Sequence, residues 1–330
     1  MTAQKLDVVG IGNAIVDVLA KVDDDFLVRF GLHKGGMALI DDARAELLYA
    51  ALPPAVECSG GSAANTIAGI AMLGGKAGFI GKVKDDALGR VFAHDIRAVG
   101  VSYNTGFAQA GLPTARCLIA VTPDAQRTMN TFLGASINLT PADIDADLVG
   151  RAEVTYLEGY LWDPPEAKDA FRRAIAVSHG AGKKVALTLS DSFCVGRWRE
   201  EFARLVRDEI DILFGNEDEI FRLYEAGDLA TAVERLRGAK VLAVMTRGAK
   251  GAVVFDGQTT AAVDAAPVEK VVDTTGAGDL FAAGFLFGFT HGRPLLSCAR
   301  IGSMAAAEVI SHMGARPEVP LRDLLVKQGL

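Results

Sequence analysis

The chain has 330 residues, of which 41 are acidic and 34 basic, giving a formal net charge of -7. That balance argues against nucleic acid or a membrane surface as a general partner. Half of the chain (50%) is hydrophobic, enough for one large α/β domain with an appendage or for two domains.

The four cysteines, Cys58, Cys117, Cys194 and Cys298, lie far apart without C-x-x-C spacing. They fit a reducing cytoplasm better than a disulfide framework or a zinc site. Residues 1–20 lack the basic stretch and cleavage site of a secretory signal, and Asp7 and Asp17 interrupt their apolar run. No run is long and apolar enough to span a bilayer. These features predict a soluble cytoplasmic protein.

In chain order, the β-branched run at 6–12 predicts a buried strand, and 61–75 predicts a helix that ends on glycines. A strand at 77–83 and a helix at 86–100 follow. The second half repeats the rhythm: strand 153–159, helix 165–179, strand 183–190, helix 196–208, strand 211–216, helix 217–227, then strands 240–248 and 251–257. Helices at about 276–290 and 294–313 close the pattern. Alternating strands and helices predict an α/β fold, its mostly parallel sheet covered on both faces. Residues 17–40 and 101–122 break the rhythm, being shorter, more polar and strand-like. They are expected to form either a small β lid or an antiparallel edge on the main sheet. The major domain then comprises 1–16, 41–100 and 123–330.

The stretch "DTTGAGDLFAAGF" begins at Asp273 and opens from a glycine turn into an apolar helix. Thr274 or Thr275 is expected to cap it. Gly276, Ala277 and Gly278 form a first turn whose amides have no acceptors inside the helix. Small residues and the helix dipole suit an anion there, and a transferring phosphoryl group fits such a site. Asp279 lies inside the same turn. Complementing the dipole is its plain reading. Its setting between GAG and an apolar run favours a general base that takes a hydroxyl proton during attack on phosphorus. Asp273 reads as a cap or backbone brace.

A second glycine site, "ECSGGSAANTIAG", places Gly60 and Gly61 before a helix that carries Asn65. It suits either close helix–sheet packing or backbone contact with a ligand. "GIGNAIVD" lacks the third glycine of a dinucleotide fingerprint, because Val16 occupies that place. It reads instead as a strand ending in a turn that presents Asn13 and Asp17, a pair suited to neighbouring sugar hydroxyls. Asn216 and Glu219, three apart at a strand-to-helix junction, form either a capping box or a magnesium element acting directly or through water. Residues 246–252, with Thr246, Gly248 and Gly251, form a hairpin turn or a wall of a nucleotide pocket. Arg127 is either an exposed arginine or a fixed charge for phosphate oxygens.

Taken together, "SGGSAANTIAGIAMLGG", "FIGKVKDDALGR", "NEDE" and "DTTGAGDLFAAGF" resemble the signatures of ribokinase-type (phosphofructokinase-B) carbohydrate and nucleoside kinases over essentially the whole chain. The resemblance implies a Rossmann-like (ribokinase-like) α/β domain with a small β lid, ATP, Mg2+, and γ-phosphoryl transfer to a primary hydroxyl. It makes Asp279 the base, Gly276, Ala277 and Gly278 the anion hole, and Asn216 and Glu219 the magnesium and phosphate element. Within that family the chain is most similar to adenosine kinases, through "VVGIGNAIVDVLAKVDDDFLVRFGLHKGGMALID", "QRTMNTFLGAS" and "ARIGSMAAAEVISHMGARP". That likeness places Arg127 on the phosphates and assigns Asn13, Asp17, Gly61 and Asn65 to the ribose. It sets Tyr160 and Phe193 beside a nucleobase, although both also suit a core. Met37 stands in a lid segment where a polar contact to the base is expected, and the alanines of "GGSAAN" are common among sugar kinases. Kinases of ribose, fructose or another nucleoside therefore stay open as alternatives, as do a monomer or homodimer and a monovalent cation.

Overall fold

In the computed structural model, which describes residues 5–124 and 126–330, the apolar runs become strands of two sheets. They are β1 (Leu6–Ile11), β2 (Ile15–Lys21), β3 (Met37–Leu39), β4 (Ala55–Gly60), β5 (Ala77–Ile80), β6 (Ser102–Tyr103) and β7 (Ala115–Val121) in the first part of the chain. There follow β8 (Arg127–Phe132), β9 (Ala152–Glu158), β10 (Lys184–Thr188), β11 (Ile212–Asn216), β12 (Leu242–Thr246), β13 (Ala252–Phe255) and β14 (Thr260–Val263).

The larger sheet has nine strands in the order β14-β13-β12-β11-β10-β9-β1-β5-β6. It is parallel from β12 to β6, with β13 and β14 as an antiparallel edge. This is the mostly parallel, helix-flanked sheet expected from the alternating pattern. Val8, Val9 and Ile11 of β1 are fully buried, because helices cover both faces. One apolar cluster joins the sheet to the helices Ser62–Met72, Ala87–Ala98, Ala277–Thr290 and Leu295–Val309. The other joins its opposite face to Pro165–Gly180, Ser192–Asp208 and Glu217–Tyr224. From β1 the chain builds outward through β5 and β6, then returns to β9 and builds the other way. The order reverses between β1 and β9, and a crevice at such a reversal is where α/β sheets bind ligands.

Helices Ala277–Thr290 and Leu295–Val309 touch backbone to backbone. A Cβ on Gly284 would lie 2.6 Å from the amide nitrogen of Gly302 and from the carbonyl oxygen of Ile301. The glycines inside "LFAAGFLFG" are thus contact points that fix where this helix, and its first turn, sits.

The small sheet has the order β3-β8-β7-β2-β4. Its borders differ from the expected lid of 17–40 and 101–122. β4 and β8, expected in the major domain, supply the antiparallel neighbours of β2 and β7. β6, expected in the lid, pairs with β5 in the main sheet, Gly78 opposite Ser102. Residues 24–29 within the expected lid are helical, with Asp23 as N-cap. The cause is long-range pairing: Asp17 of β2 lies opposite both Cys58 of β4 and Cys117 of β7, and no local pattern announces partners so distant. Short elements such as the helices Asp42–Ala51 and Leu229–Leu236 and the edge strand β14 also carry too little periodicity to stand out.

An ion pair ties the sheets together. Arg127 at the start of β8 donates through Nη1 to Oδ2 of Asp273, and their side chains are only 7% and 4% exposed. Asp273 also accepts the amides of Thr275 (3.0 Å) and Gly314 (2.9 Å). Burial disfavours its charge, but Arg127 and the two amides outweigh that and hold the carboxyl below its usual range. Arg127→Met leaves a buried carboxylate without its cation. It should lower unfolding free energy by ~3–5 kcal/mol, with partial recovery in Arg127→Met/Asp273→Asn. Urea titration measures this, and a loss below about 1 kcal/mol would show the pair to behave like an exposed one.

Candidate active site

Gly276 adopts the left-handed conformation (φ 78) as N-cap, and the helix begins at Ala277. Neither Thr274 nor Thr275 caps it with a side chain, contrary to expectation; Asp273 organises the turn instead, through the Thr275 amide. The Ala277 amide folds back onto the Thr274 carbonyl at 3.2 Å. The amides of Gly276 and Gly278 have no hydrogen-bond partner among the described residues. Of the three residues expected to form an anion turn, these two thus have free amide donors.

Asp279 sits three residues past the cap and meets the start of helix Ser62–Met72. Its Oδ1 accepts from the Ser62 hydroxyl at 2.6 Å and its Oδ2 from Asn65 Nδ2 at 3.0 Å. Burial pushes its carboxyl above the ordinary range, opposed by Ser62, Asn65 and the charge of Arg316. Asn65 Oδ1 is buried without a partner among the described residues, an open acceptor beside the carboxylate.

Asp17 lies within β2 rather than in a turn after β1, because the chain re-enters strand geometry at Ile15. Gly60 makes room for it: a Cβ there would stand 2.4 Å from Asp17 Oδ2. Burial pushes Asp17 up to about 6, against the pull of Arg127 and Arg316 and with a push from Asp279. Gly61 has φ 98, and a Cβ on it would meet the Asn13 carbonyl at 2.3 Å, so the start of helix Ser62–Met72 can press against the turn after β1. Asn13 is buried and braced. Its Nδ2 donates to Glu158 Oε1 at 2.7 Å, and its Oδ1 accepts from the Ser136 hydroxyl at 2.8 Å. Glu158, at the end of β9, also accepts the Ala63 amide at 2.9 Å, and burial pushes it up to about 7.

Tyr160 is half-buried just beyond Glu158, its amide donating to the Ser190 hydroxyl at 3.1 Å. Phe193 is 81% exposed in the first turn of helix Ser192–Asp208, so it is no core residue. Arg127 is not an exposed arginine either, since Asp273 and burial enclose it.

Asn216 and Glu219 form the capping box. The Glu219 amide donates to Asn216 Oδ1 at 2.9 Å, while Glu219 accepts the Asn216 backbone amide at 3.1 Å and side-chain amide at 2.7 Å. They also line a polar cavity of about 90 Å³, with Ser62, Thr246, Gly278 and Asp279. Burial pushes Glu219 up to about 7, and Asp191, Asp218 and Asp279 add to that rise. Among the described residues, no group of three or more His, Cys, Asp and Glu side chains is arranged to hold a metal ion. Both Glu219 oxygens serve the cap, so these hard donors suit a hydrated magnesium ion better than a directly bound one.

A larger, mainly apolar cavity of about 580 Å³ adjoins the polar one. Thr246, Gly248 and Gly251 form one wall; Ser303, Ala306, Ala307 and Ile310 of the helix Leu295–Val309 and the residue after it form another. Thr246 and Gly278 line both cavities, so the helix start lies where they meet. Sequence reasoning missed Ser62, Ser136, Glu158 and Arg316. Ser62 stood inside a quoted motif as one small residue among several, and Arg316 as a lone arginine before a proline.

The model of the pfkB family carbohydrate kinases matches residues 53–322. The crystal structure of adenosine kinase from Sinorhizobium meliloti is 52% identical, covering 99% of this chain and 100% of its own, with a TM-score of 0.91. Adenosine kinase from Saccharomyces cerevisiae is 28% identical over 92% of this chain and 94% of the relative. A 5-dehydro-2-deoxygluconokinase from Geobacillus thermodenitrificans is 26% identical over 80% of this chain and 82% of the relative. Among the described residues, no helix is long and apolar enough to cross a membrane. The chain belongs to the pfkB family of carbohydrate kinases and is a phosphotransferase acting on an alcohol group.

Proposed function

We propose that this kinase transfers the γ-phosphoryl group of ATP to the 5' hydroxyl of adenosine, giving AMP and ADP. The observation that carries the reading is Asp279, held by Ser62 and Asn65 at a helix start where an apolar and a polar cavity meet. The apolar cavity suits a purine ring of the nucleotide, and the helix start its phosphates. The Asp279 carboxylate accepts the hydroxyl proton as the new O–P bond forms and the bond from phosphorus to the ADP oxygen breaks. The Gly276 and Gly278 amides receive the negative charge spread over the phosphoryl oxygens. Asn216 and Glu219 would hold hydrated magnesium, which screens phosphate charge when bound. On the acceptor side, Asp17 and the open oxygen of Asn65 take sugar hydroxyls, with Asn13 bracing that wall from behind. Adenosine is favoured over a sugar by the 52% identity with the Sinorhizobium meliloti adenosine kinase over nearly the whole of both chains. A sugar kinase is the second reading, supported by the 5-dehydro-2-deoxygluconokinase relative.

ADP release with a panel of adenosine, other nucleosides, ribose and fructose tests the acceptor. Adenosine should give the highest kcat/KM, and a preference for ribose or fructose would transfer the reading to a sugar kinase.

Asp279→Asn should lower turnover at least ~100-fold with little change in ATP affinity. Near-normal turnover would remove Asp279 as the proton acceptor.

Asp17→Asn should raise the acceptor KM about 10-fold or more with a smaller effect on kcat. Because burial raises Asp17 to about 6 and raises Asp279 as well, the neutral carboxyl forms persist to higher pH than in ordinary aspartates. Activity is then lost as pH falls through about 6, whereas ordinary carboxyl groups would sustain it to about 4. A kcat/KM profile flat down to pH about 4 would contradict this.

A further inference from the structure

Arg316 belongs to the loop that follows the helix Leu295–Val309, and that loop is packed on the anion turn. The Gly314 amide donates to Asp273 at 2.9 Å, and the Ala315 Cα lies 3.0 Å from where a Cβ on Gly276 would be. From this seat the Arg316 side chain crosses to the small sheet. Its Nε donates to the Ser59 carbonyl at 3.1 Å and its Nη2 to the Ser59 hydroxyl at 2.9 Å. The Ser59 amide is held in turn by Asp95 Oδ2 at 2.7 Å.

The third nitrogen, Nη1, is buried without a hydrogen-bond partner among the described residues. No salt bridge closes on Arg316 among them either, unlike Arg127, whose charge Asp273 already meets. Its charged form is favoured from a distance by Asp95, Cys58, Asp17 and Asp279, in falling order, and its loop neighbours Gly314 and Ala315 seat it beside the turn that leads into Asp279. Arg316 as a whole is half-buried, but a buried guanidinium N–H with no acceptor and no contacting counter-ion is costly unless an anion completes it. The anion handled beside Asp279 in the proposed reaction is the phosphoryl group, which passes from ATP to the acceptor oxygen.

We propose that Arg316 binds the transferred phosphoryl group, its Nη1 donating to a phosphoryl oxygen during transfer and to the same oxygen on the phosphorylated product. Arg316 forms no covalent bond in this step. The O–P bond to the acceptor forms, the bond to ADP breaks, and the proton goes to Asp279. The inference rests on the proposed placement of the acceptor beside Asp17 and Asp279.

The test compares wild type with Arg316→Gln, which keeps a donor for Ser59, and with Arg316→Lys, which keeps the charge. Thermal unfolding first establishes that each variant is folded. Calorimetric titration with adenosine and with AMP, and turnover with adenosine, are then measured. Arg316→Gln should lower kcat about 100-fold. It should weaken AMP by about 10-fold or more while leaving adenosine within about 3-fold. Arg316→Lys should lie between the two. Equal weakening of adenosine and AMP, or unchanged turnover in folded Arg316→Gln, would overturn the proposal and leave Arg316 as a brace for Ser59. If wild type does not turn over adenosine, the acceptor reading fails separately, and ribose with ribose 5-phosphate supplies the same comparison. Should Arg316→Gln not fold, Arg316→Lys decides: AMP must weaken more than adenosine, and an unchanged ratio together with unchanged turnover overturns the proposal.

Discussion

Two helices begin against one another, and the rest of the site is arranged around that meeting. Ser62 and Asn65, in the first turns of one helix, donate to the two oxygens of Asp279 in the first turn of the other. Helix starts concentrate unsatisfied donors and a positive dipole end, so two of them at one point make a strong field for negative charge. The close approach of Gly284 and Gly302 fixes the second helix, and the fit of Gly61 over Asn13 fixes the first. Without either contact, Asp279 would stand at the same place in the sequence but not beside an acceptor.

The site holds more carboxylates than cations. Asp17, Glu158, Glu219 and Asp279 are all raised by burial, and the charge of Asp279 adds to the rise of the other three. Arg127 does not relieve this fully, because Asp273 takes up its charge. A polyphosphate entering such a site must bring or find positive charge. Hydrated magnesium near Asn216 and Glu219 would supply one source under the proposed function, and the helix starts supply another through their amides. The same balance accounts for the braced state of Asn13 and Glu158. Their hydrogen bonds satisfy a buried carboxyl that no cation touches among the described residues.

What the sequence made legible follows from how far each signal reaches. "DTTGAGD" is local: the glycine turn, the apolar helix and the aspartate in its first turn are neighbours in the chain, and the structure holds them together as expected. The capping box of Asn216 and Glu219 is equally local. The alternation of strands and helices announced the parallel sheet because each unit completes itself within a few tens of residues. The small sheet was misdrawn because β2 finds one partner in β4 and another in β7, far along the chain. The buried partner of Arg127 could not be read for the same reason. That partner, Asp273, is 146 residues away, and an isolated arginine in a strand gives no sign of a buried anion opposite. Ser62 and Glu158 matter through contacts across the crevice, which only the fold creates.

The small sheet also explains how acceptor and phosphoryl group can be brought into register. Asp17 on β2, Ser59 and Gly60 on β4 and Arg127 on β8 all belong to it, whereas Asp279, Asp273 and Arg316 belong to the larger body. The hydrogen bonds between the two sets join Arg127 to Asp273 and Ser59 to Arg316, with Asp273 and Arg316 both in the segments that pack around Gly276. Any displacement of the small sheet therefore carries Asp17 relative to Asp279 while pulling on the loop that covers Gly276. Under the proposed function, such a coupling would let an acceptor beside Asp17 tighten the anion turn at the same time. Exclusion of water and alignment of the phosphoryl group would then arise from one movement, as a closing lid favours transfer to the acceptor over hydrolysis.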